Sequence, residues 1–288
     1  MLKAEAPVLI WKTVDRAPEK VGKVAAVTSH AVAHVGPPQS GIDVRMTVTL
    51  PAKAGGPVPL ILLLAGGDAK PAQASTWRAQ VLAKGWGAAV LDVTSVQPDS
   101  GAGLGRGVIG FVAGGKPRAL NDWGVLRVWA WGASRAMDYF EGDAAIDPAR
   151  IGIAGHSRYG KAALVAMAYD PRYAIAYISS SGAGGAALLR RNFGERIENL
   201  AAPGEYHWFA PRFLTYAGPK MANDLPVDTH ELIALAAPRP IFFGVGAMGD
   251  DWADPRGTFM AAVAAGPVYE LLGKKGLAPP RCRRSASR

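Results

Sequence analysis

The stretch Arg150-Ile-Gly-Ile-Ala-Gly-His-Ser-Arg-Tyr-Gly-Lys161 decides the fold. An apolar, β-like run (Ile151, Ile153, Ala154) meets Gly155, then Ser157, then Gly160, and a helical stretch continues from Lys161 to Tyr169. A serine at a sharp strand-to-helix turn presents its hydroxyl at the carboxyl edge of a sheet. The free N–H groups of the helix start then face whatever that hydroxyl attacks. One turn thus supplies a nucleophile and half of an oxyanion hole. The pattern departs from the usual G-x-S-x-G, because Tyr159 takes the second glycine position and glycine follows at Gly160. A plain βα turn with an N-capping serine is the alternative reading.

Strands and helices alternate on both sides of this turn. Arg45–Leu50 alternates like a half-buried strand, and Pro59-Leu-Ile-Leu-Leu-Leu64 is continuously apolar, as suits a central one. Ala65-Gly-Gly67 follows at once, where the second oxyanion N–H of such a fold arises. Helical patterns are expected over Trp77–Gly85, Asp122–Phe140 and Pro255–Leu272, and further strands over Ala88–Asp92, Ala174–Ile178 and Pro240–Val245. In the second helix Leu126, Val128, Trp129, Trp131, Ala136 and Met137 form an apolar face, so its tryptophans read as core. Val93–Leu120, rich in Gly, Ser and Pro, reads as a long surface loop beside the site. The fold class is α/β: one mainly parallel sheet covered on both faces.

Composition narrows the function. With 288 residues and 49% hydrophobic content, the chain has a substantial buried core. No apolar run approaches the ~20 residues of a membrane span, so no membrane partner is expected. The start, Met-Leu-Lys-Ala-Glu-Ala-Pro-Val, lacks the apolar stretch of a secretory signal. A single cysteine, Cys282, excludes an internal disulfide and a zinc–cysteine site. The net charge of +9 suggests nucleic acid, but Arg281, Arg283, Arg284 and Arg288 supply four of those charges within the last eight residues. Without them the balance is +5 and the basic residues are scattered, so a solvated surface is the better reading and no nucleic-acid partner is expected.

A series of motifs goes further. Gly155-His-Ser-Arg-Tyr-Gly-Lys161 resembles the G-[CH]-S-R-x-G-K elbow of the glucuronoyl esterases, carbohydrate esterases of the α/β-hydrolase fold. Trp129–Tyr139, Ser181–Ala187, Asn192–Glu195, His207–Phe209, Leu225–His230, Ala237–Pro240 and Trp252–Pro255 are similar to segments of the same family, in the same order. The resemblance runs from about Val44 to Leu277. It implies hydrolysis of esters on the carboxyl group of (4-O-methyl)glucuronate, the link between xylan side chains and lignin alcohols. The implied partner is a small-molecule or glucuronoxylan ester, acted on by a monomer. Neither a metal nor an organic cofactor is implied, and the expected location is secreted or periplasmic. The domain division expected is an N-terminal extension over 1–43, the hydrolase domain over 44–277 and a basic, disordered tail over 278–288.

By the same resemblance, Arg158 stabilises the oxyanion, Lys161 bonds the sugar hydroxyls, and Glu205 and Trp252 contact the sugar. The acid that orients a catalytic histidine has two candidate positions. Many members carry a glutamate after the strand that follows the elbow, where this chain has Ser180. Others place the acid one strand later, in Gly249-Asp-Asp-Trp-Ala-Asp-Pro255, which offers Asp250, Asp251 and Asp254; Asp250 fits best. The base itself is expected C-terminal to Gly266–Leu277, yet no histidine follows His230. His30, His34, His156, His207 and His230 each read as structural. The sequence reading therefore expects a chain truncated before the last strand and its histidine, and impaired as an enzyme. A broader acetyl esterase and an inactive sugar-binding remnant are the alternatives.

Overall fold

A computed structural model describes residues 9–39, 41–67, 71–246 and 248–278. The strands are β1 (Trp11–Val21), β2 (Val24–Val35), β3 (Ile42–Pro51), β4 (Val58–Ala65), β5 (Gly87–Asp92), β6 (Ile146–His156), β7 (Ile175–Ser179) and β8 (Ile241–Gly244). They form one sheet in the order β1-β2-β3-β5-β4-β6-β7-β8. The first three strands and the β3–β5 pair are antiparallel, and every pairing from β5 to β8 is parallel. The apolar run of β4 lies at the centre, as its lack of polar alternation requires.

The helices are α1 (Pro71–Ala83), α2 (Val93–Val96), α3 (Gly107–Ala113), α4 (Val125–Glu141), α5 (Arg158–Tyr169), α6 (Ile197–Leu200), α7 (Thr229–Ala234) and α8 (Pro255–Leu271). Register puts Leu62, Ile153, Ala176 and Ile241 on one sheet face and Leu63, Ala154, Tyr177 and Phe242 on the other. The first face carries the main core under α4 and α5, where Trp129, Met137, Phe140 and Tyr173 are fully buried. Its largest polar atoms are satisfied: Trp129 Nε1 donates to Gln97 O at 2.9 Å and the Tyr173 hydroxyl to Ala133 O at 2.6 Å. The second face is covered by α1 at one end, with Leu82 packed on Val21 and Ala26. At the other end Tyr177 and Phe242 stack 5.6 Å apart and stay exposed. Among the described residues β8 is the sheet's edge.

Two sequence expectations need correction. Residues 11–35, placed in an extension, form β1 and β2, and β2 pairs with β3 at ten successive positions. Their signal is weak because β1 is almost wholly exposed and carries Pro18, while the buried side chains of β2 are mostly alanine and valine. The stretch after β5, read as a surface loop, holds α2, a 3₁₀ turn over 101–105 and α3, with Val93, Val96, Val108 and Ile109 buried. Buried Gln97 ties it together, donating to Gly103 O at 2.9 Å and accepting from Ile109 N at 2.8 Å. Most of the basic tail, 279–288, lies outside the described residues.

Candidate active site

Ser157 stands between the end of β6 and the first turn of α5, with φ 56° and ψ −131°. A non-glycine residue in such a conformation stores strain that its surroundings must hold. The hold is visible: Ser157 N–H donates to Ser179 O at 2.9 Å on β7, and its carbonyl accepts from Lys161 N at 3.0 Å. A Cβ on residue 155 would lie 2.2 Å from Tyr159 O, and one on residue 160 would lie 3.0 Å from both Gly155 O and Ser179 O. Gly155 and Gly160 therefore allow the turn to close. Residue 159 is free to be a tyrosine, whose ring packs 5.5 Å from Trp129.

Arg158, the first residue of α5, lies in an acidic and aromatic holder. Its Nε is 3.3 Å from Asp99 Oδ2, and its guanidinium carbon is 5.6 Å from the Trp208 ring centre. Asp99 also accepts from His207 Nε2 at 2.9 Å and Trp208 Nε1 at 2.7 Å. Burial pushes the Asp99 carboxyl up, but these two donors and the Arg158 charge outweigh it and hold the group below the ordinary carboxylate range. Because a carboxylate only accepts, His207 carries its proton on Nε2. His207 is buried, and its Nε2 is committed to Asp99.

Lys161 lies one turn further along α5 and is only 1% exposed. Its ammonium donates to Ala183 O at 2.6 Å and to Glu195 Oε2 at 2.5 Å. Burial pushes the amine pKa down, against the pull of Glu195 and Glu205. Glu205 is half-buried and its Oε2 has no hydrogen-bond partner; burial and the nearby Glu195 charge push its pKa up. The Trp252 ring borders Gly182, while its carbonyl accepts from Glu195 N at 2.7 Å. Lys161 and Trp252 thus both bond to one residue, Glu195, whose charge also reaches Glu205 and to which sequence reading gave no role.

The three candidate acids separate clearly. Asp250 Oδ2 accepts from Ser180 Oγ at 2.6 Å and from Gly246 N at 2.8 Å. These bonds, Ser180 first, hold its carboxyl below the ordinary range. Asp254 is buried, caps α8 through Gly257 N and pairs with Arg191, a structural role. Asp251 is exposed, and its backbone carbonyl accepts from Asp254 N within a 3₁₀ turn. Among the histidines, His156 Nδ1 lies 3.2 Å from Ser179 Oγ and His230 Nε2 lies 3.7 Å from Glu231. His30 and His34 bind Asp15 and Asp43 on the antiparallel strands. Among the described residues no histidine is hydrogen-bonded to Ser157 or Asp250. Beyond Gly67 the oxyanion loop, Asp68 to Lys70, lies outside the described residues; Gly67 N–H donates to Thr94 Oγ1 at 3.3 Å.

Residues 34–273 match the family model described as glucuronyl esterase, fungi. The chain belongs to the glucuronoyl esterase family. It superposes on a glucuronoyl esterase from Teredinibacter turnerae with a TM-score of 0.89 at 44% identity, covering 97% of this chain and 71% of that one. A glucuronoyl esterase from Solibacter usitatus gives 0.85 at 32% identity, covering 96% and 77%. Among curated relatives, a carbohydrate esterase from an unknown prokaryotic organism is 41% identical over 210 residues, 71% of this chain and 47% of its own length. A 4-O-methyl-glucuronoyl methylesterase of Hypocrea jecorina is 33% identical over 244 residues, 81% of this chain and 48% of its own. The chain thus spans about half the length of these two curated relatives. Among the described residues no group of three or more His, Cys, Asp or Glu side chains is arranged to hold a metal, and no helix is long and apolar enough to cross a membrane.

Proposed function

We propose that this glucuronoyl esterase-family chain carries a serine-esterase site for (4-O-methyl)glucuronate esters of glucuronoxylan. The observation that supports it most is the convergence on one helix start of Ser157, Arg158 and Lys161, the last two within reach of the Glu205 charge. In the reaction Ser157 Oγ bonds to the C6 carbonyl carbon of the ester while its proton passes to a base. The carbonyl oxygen becomes an oxyanion, stabilised by the Arg158 guanidinium and the N–H groups at the α5 start. Collapse breaks the bond to the alcohol, which leaves with the proton. Water then cleaves the glucuronoyl-serine by the same steps in reverse, giving glucuronate and free Ser157. Lys161 and Glu205 would bond the sugar hydroxyls, and Trp252 would border the ring.

Asp250 is read as the acid that holds an imidazolium, for which a neutral hydroxyl at 180 would not serve. Among the described residues no histidine is hydrogen-bonded to Asp250 or Ser157, and slow turnover is proposed on that ground. Losing one member of a catalytic triad costs on the order of 10⁴ to 10⁶ in rate. With a polymer as the proposed substrate, the protein is read as acting outside the cytoplasm and as a monomer.

The test is alcohol release from a methyl glucuronate ester, with Ser157→Ala as the blank. Slow, Ser157-dependent release, several orders of magnitude below a full-length relative, is expected. Near-normal release that vanishes in Ser157→Ala would refute the impairment and show that another group acts as base. Release from acetylated xylan alone would favour the acetyl-esterase reading. Saturable glucuronate binding without any release would favour a sugar-binding remnant.

A further inference from the structure

The contact between Ser180 and Asp250 joins two residues 70 positions apart at the ends of neighbouring strands. We propose that Ser180 is a positioning residue for Asp250, fixing the plane of its carboxylate for a catalytic base. The inference rests on reading Asp250 as the acid of the proposed esterase site.

Ser180 follows β7 directly and is 2% exposed, with φ 39°. Its N–H donates to Gly244 O at 2.8 Å, at the end of β8, so the hydroxyl is anchored to both strand ends. From there Oγ reaches Oδ2 at 2.6 Å, and Gly246 N–H reaches the same oxygen at 2.8 Å. A carboxylate cannot donate, so the Ser180 proton must lie in this bond. Two donors on Oδ2 pin the plane of the carboxylate, and the Trp252 side chain is a further, weaker hydrogen-bond partner of Asp250. A strained backbone kept at a buried serine is accounted for if the hydroxyl has this task.

The same geometry dictates why residue 180 is neutral here. A carboxylate at that position would meet Asp250 at hydrogen-bond distance, and two like charges so close cannot both stay ionised. Positions 180 and 250 thus address one point in space, and only one of them can carry the negative charge. In this chain Asp250 carries it and Ser180 serves it. The other titratable group whose charge reaches Asp250 is His156, at the end of β6.

The experiment follows the Asp250 side-chain carboxyl by ¹³C NMR in the full chain. The pH range is that of carboxyl titration. In the parent chain Asp250 titrates below an ordinary aspartate. Ser180→Ala and Ser180→Gly are both expected to move its midpoint upward, with Asp251 and Asp254 unmoved. Glycine adopts φ 39° without strain, so Ser180→Gly keeps the turn while removing the hydroxyl. If acid unfolds the chain first, the readout becomes the deuterium isotope shift at the Asp250 carboxyl in neutral solution, present in the parent and lost in both variants. An Asp250 signal unchanged in both variants, or three aspartates moving together, would overturn the inference. No ester hydrolysis combined with the expected NMR shifts would instead remove the esterase reading and leave the Ser180–Asp250 pairing standing.

Discussion

Replacing Lys161 by methionine tests the part of the site on which fold and chemistry both depend. The ammonium is 1% exposed and makes two short bonds, to Ala183 O and Glu195 Oε2, and the Glu195 side chain is itself 11% exposed. Methionine fills a similar volume without a donor, so packing against Trp208 is largely kept. What is lost is the partner of a buried carboxylate and of a buried carbonyl. Breaking a buried ion pair on one side costs about 3–5 kcal/mol, about a fifth or more of a typical domain's stability of ~5–15 kcal/mol. At roughly 2–4 °C per kcal/mol for a chain of this size, the melting temperature falls by about 6–20 °C. Urea unfolding of the parent, Lys161→Met, Glu195→Gln and the double variant measures this directly. The double variant is expected to be more stable than the sum of the singles implies, by about 0.5–3 kcal/mol. A Lys161→Met chain within ~0.5 kcal/mol of the parent, or strict additivity, would refute the buried-pair argument.

Two further outcomes are expected. Gly155→Ala forces a Cβ against the Tyr159 carbonyl, which no side-chain movement relieves, so a loss above about 4 kcal/mol is expected in thermal melts; Gly55→Ala, with nothing within 4 Å, is expected within ~0.5 kcal/mol of the parent. Glu205 has its pKa raised above 4.5, so its contribution to stability is complete below that value and is lost as pH rises through the folded-state pKa. Glu205→Gln is therefore expected to match the parent in acid and exceed it in neutral solution, and equal pH profiles in urea titrations would contradict the shift.

The parts of the fold legible in the sequence are those where one physical requirement dominates. The β4 run is apolar because both faces of a central strand are covered, and the α4 stripe is apolar because one side of that helix meets the core. The elbow is legible because a sharp turn needs glycine on both sides of the serine. The antiparallel β1–β2 pair escaped notice because exposure leaves its outer face unconstrained and the buried side chains are small. Within the site, Ser157, Arg158 and Lys161 were named from one motif and Glu205, Asp250 and Trp252 from resemblance, whereas Asp99 and Glu195 were given no role. Asp99 lies in a stretch whose Gly and Ser content masks a buried polar anchor, and Glu195 is marked only by the need of Lys161 for a counter-charge. Ser180 was read as the loss of a carboxylate. Its hydrogen bond to Asp250 depends on two strand ends meeting, which no local pattern encodes.

Ser157, Arg158 and Lys161 ride on one twelve-residue helix, α5 or its cap, whereas Glu205, Trp252 and Asp250 come from separate connections. A sub-ångström slide of α5 would displace the first three together, so selection can hardly retune them one by one. The opposite wall is under no such restriction. Under the proposed function, changes in the loops around 195–209 and 249–254 would alter which sugar decoration fits while the proposed attacking apparatus stays fixed. New preferences for the glycan would therefore be expected to arise there first, and libraries that randomise those loops would yield more soluble variants than libraries that randomise α5.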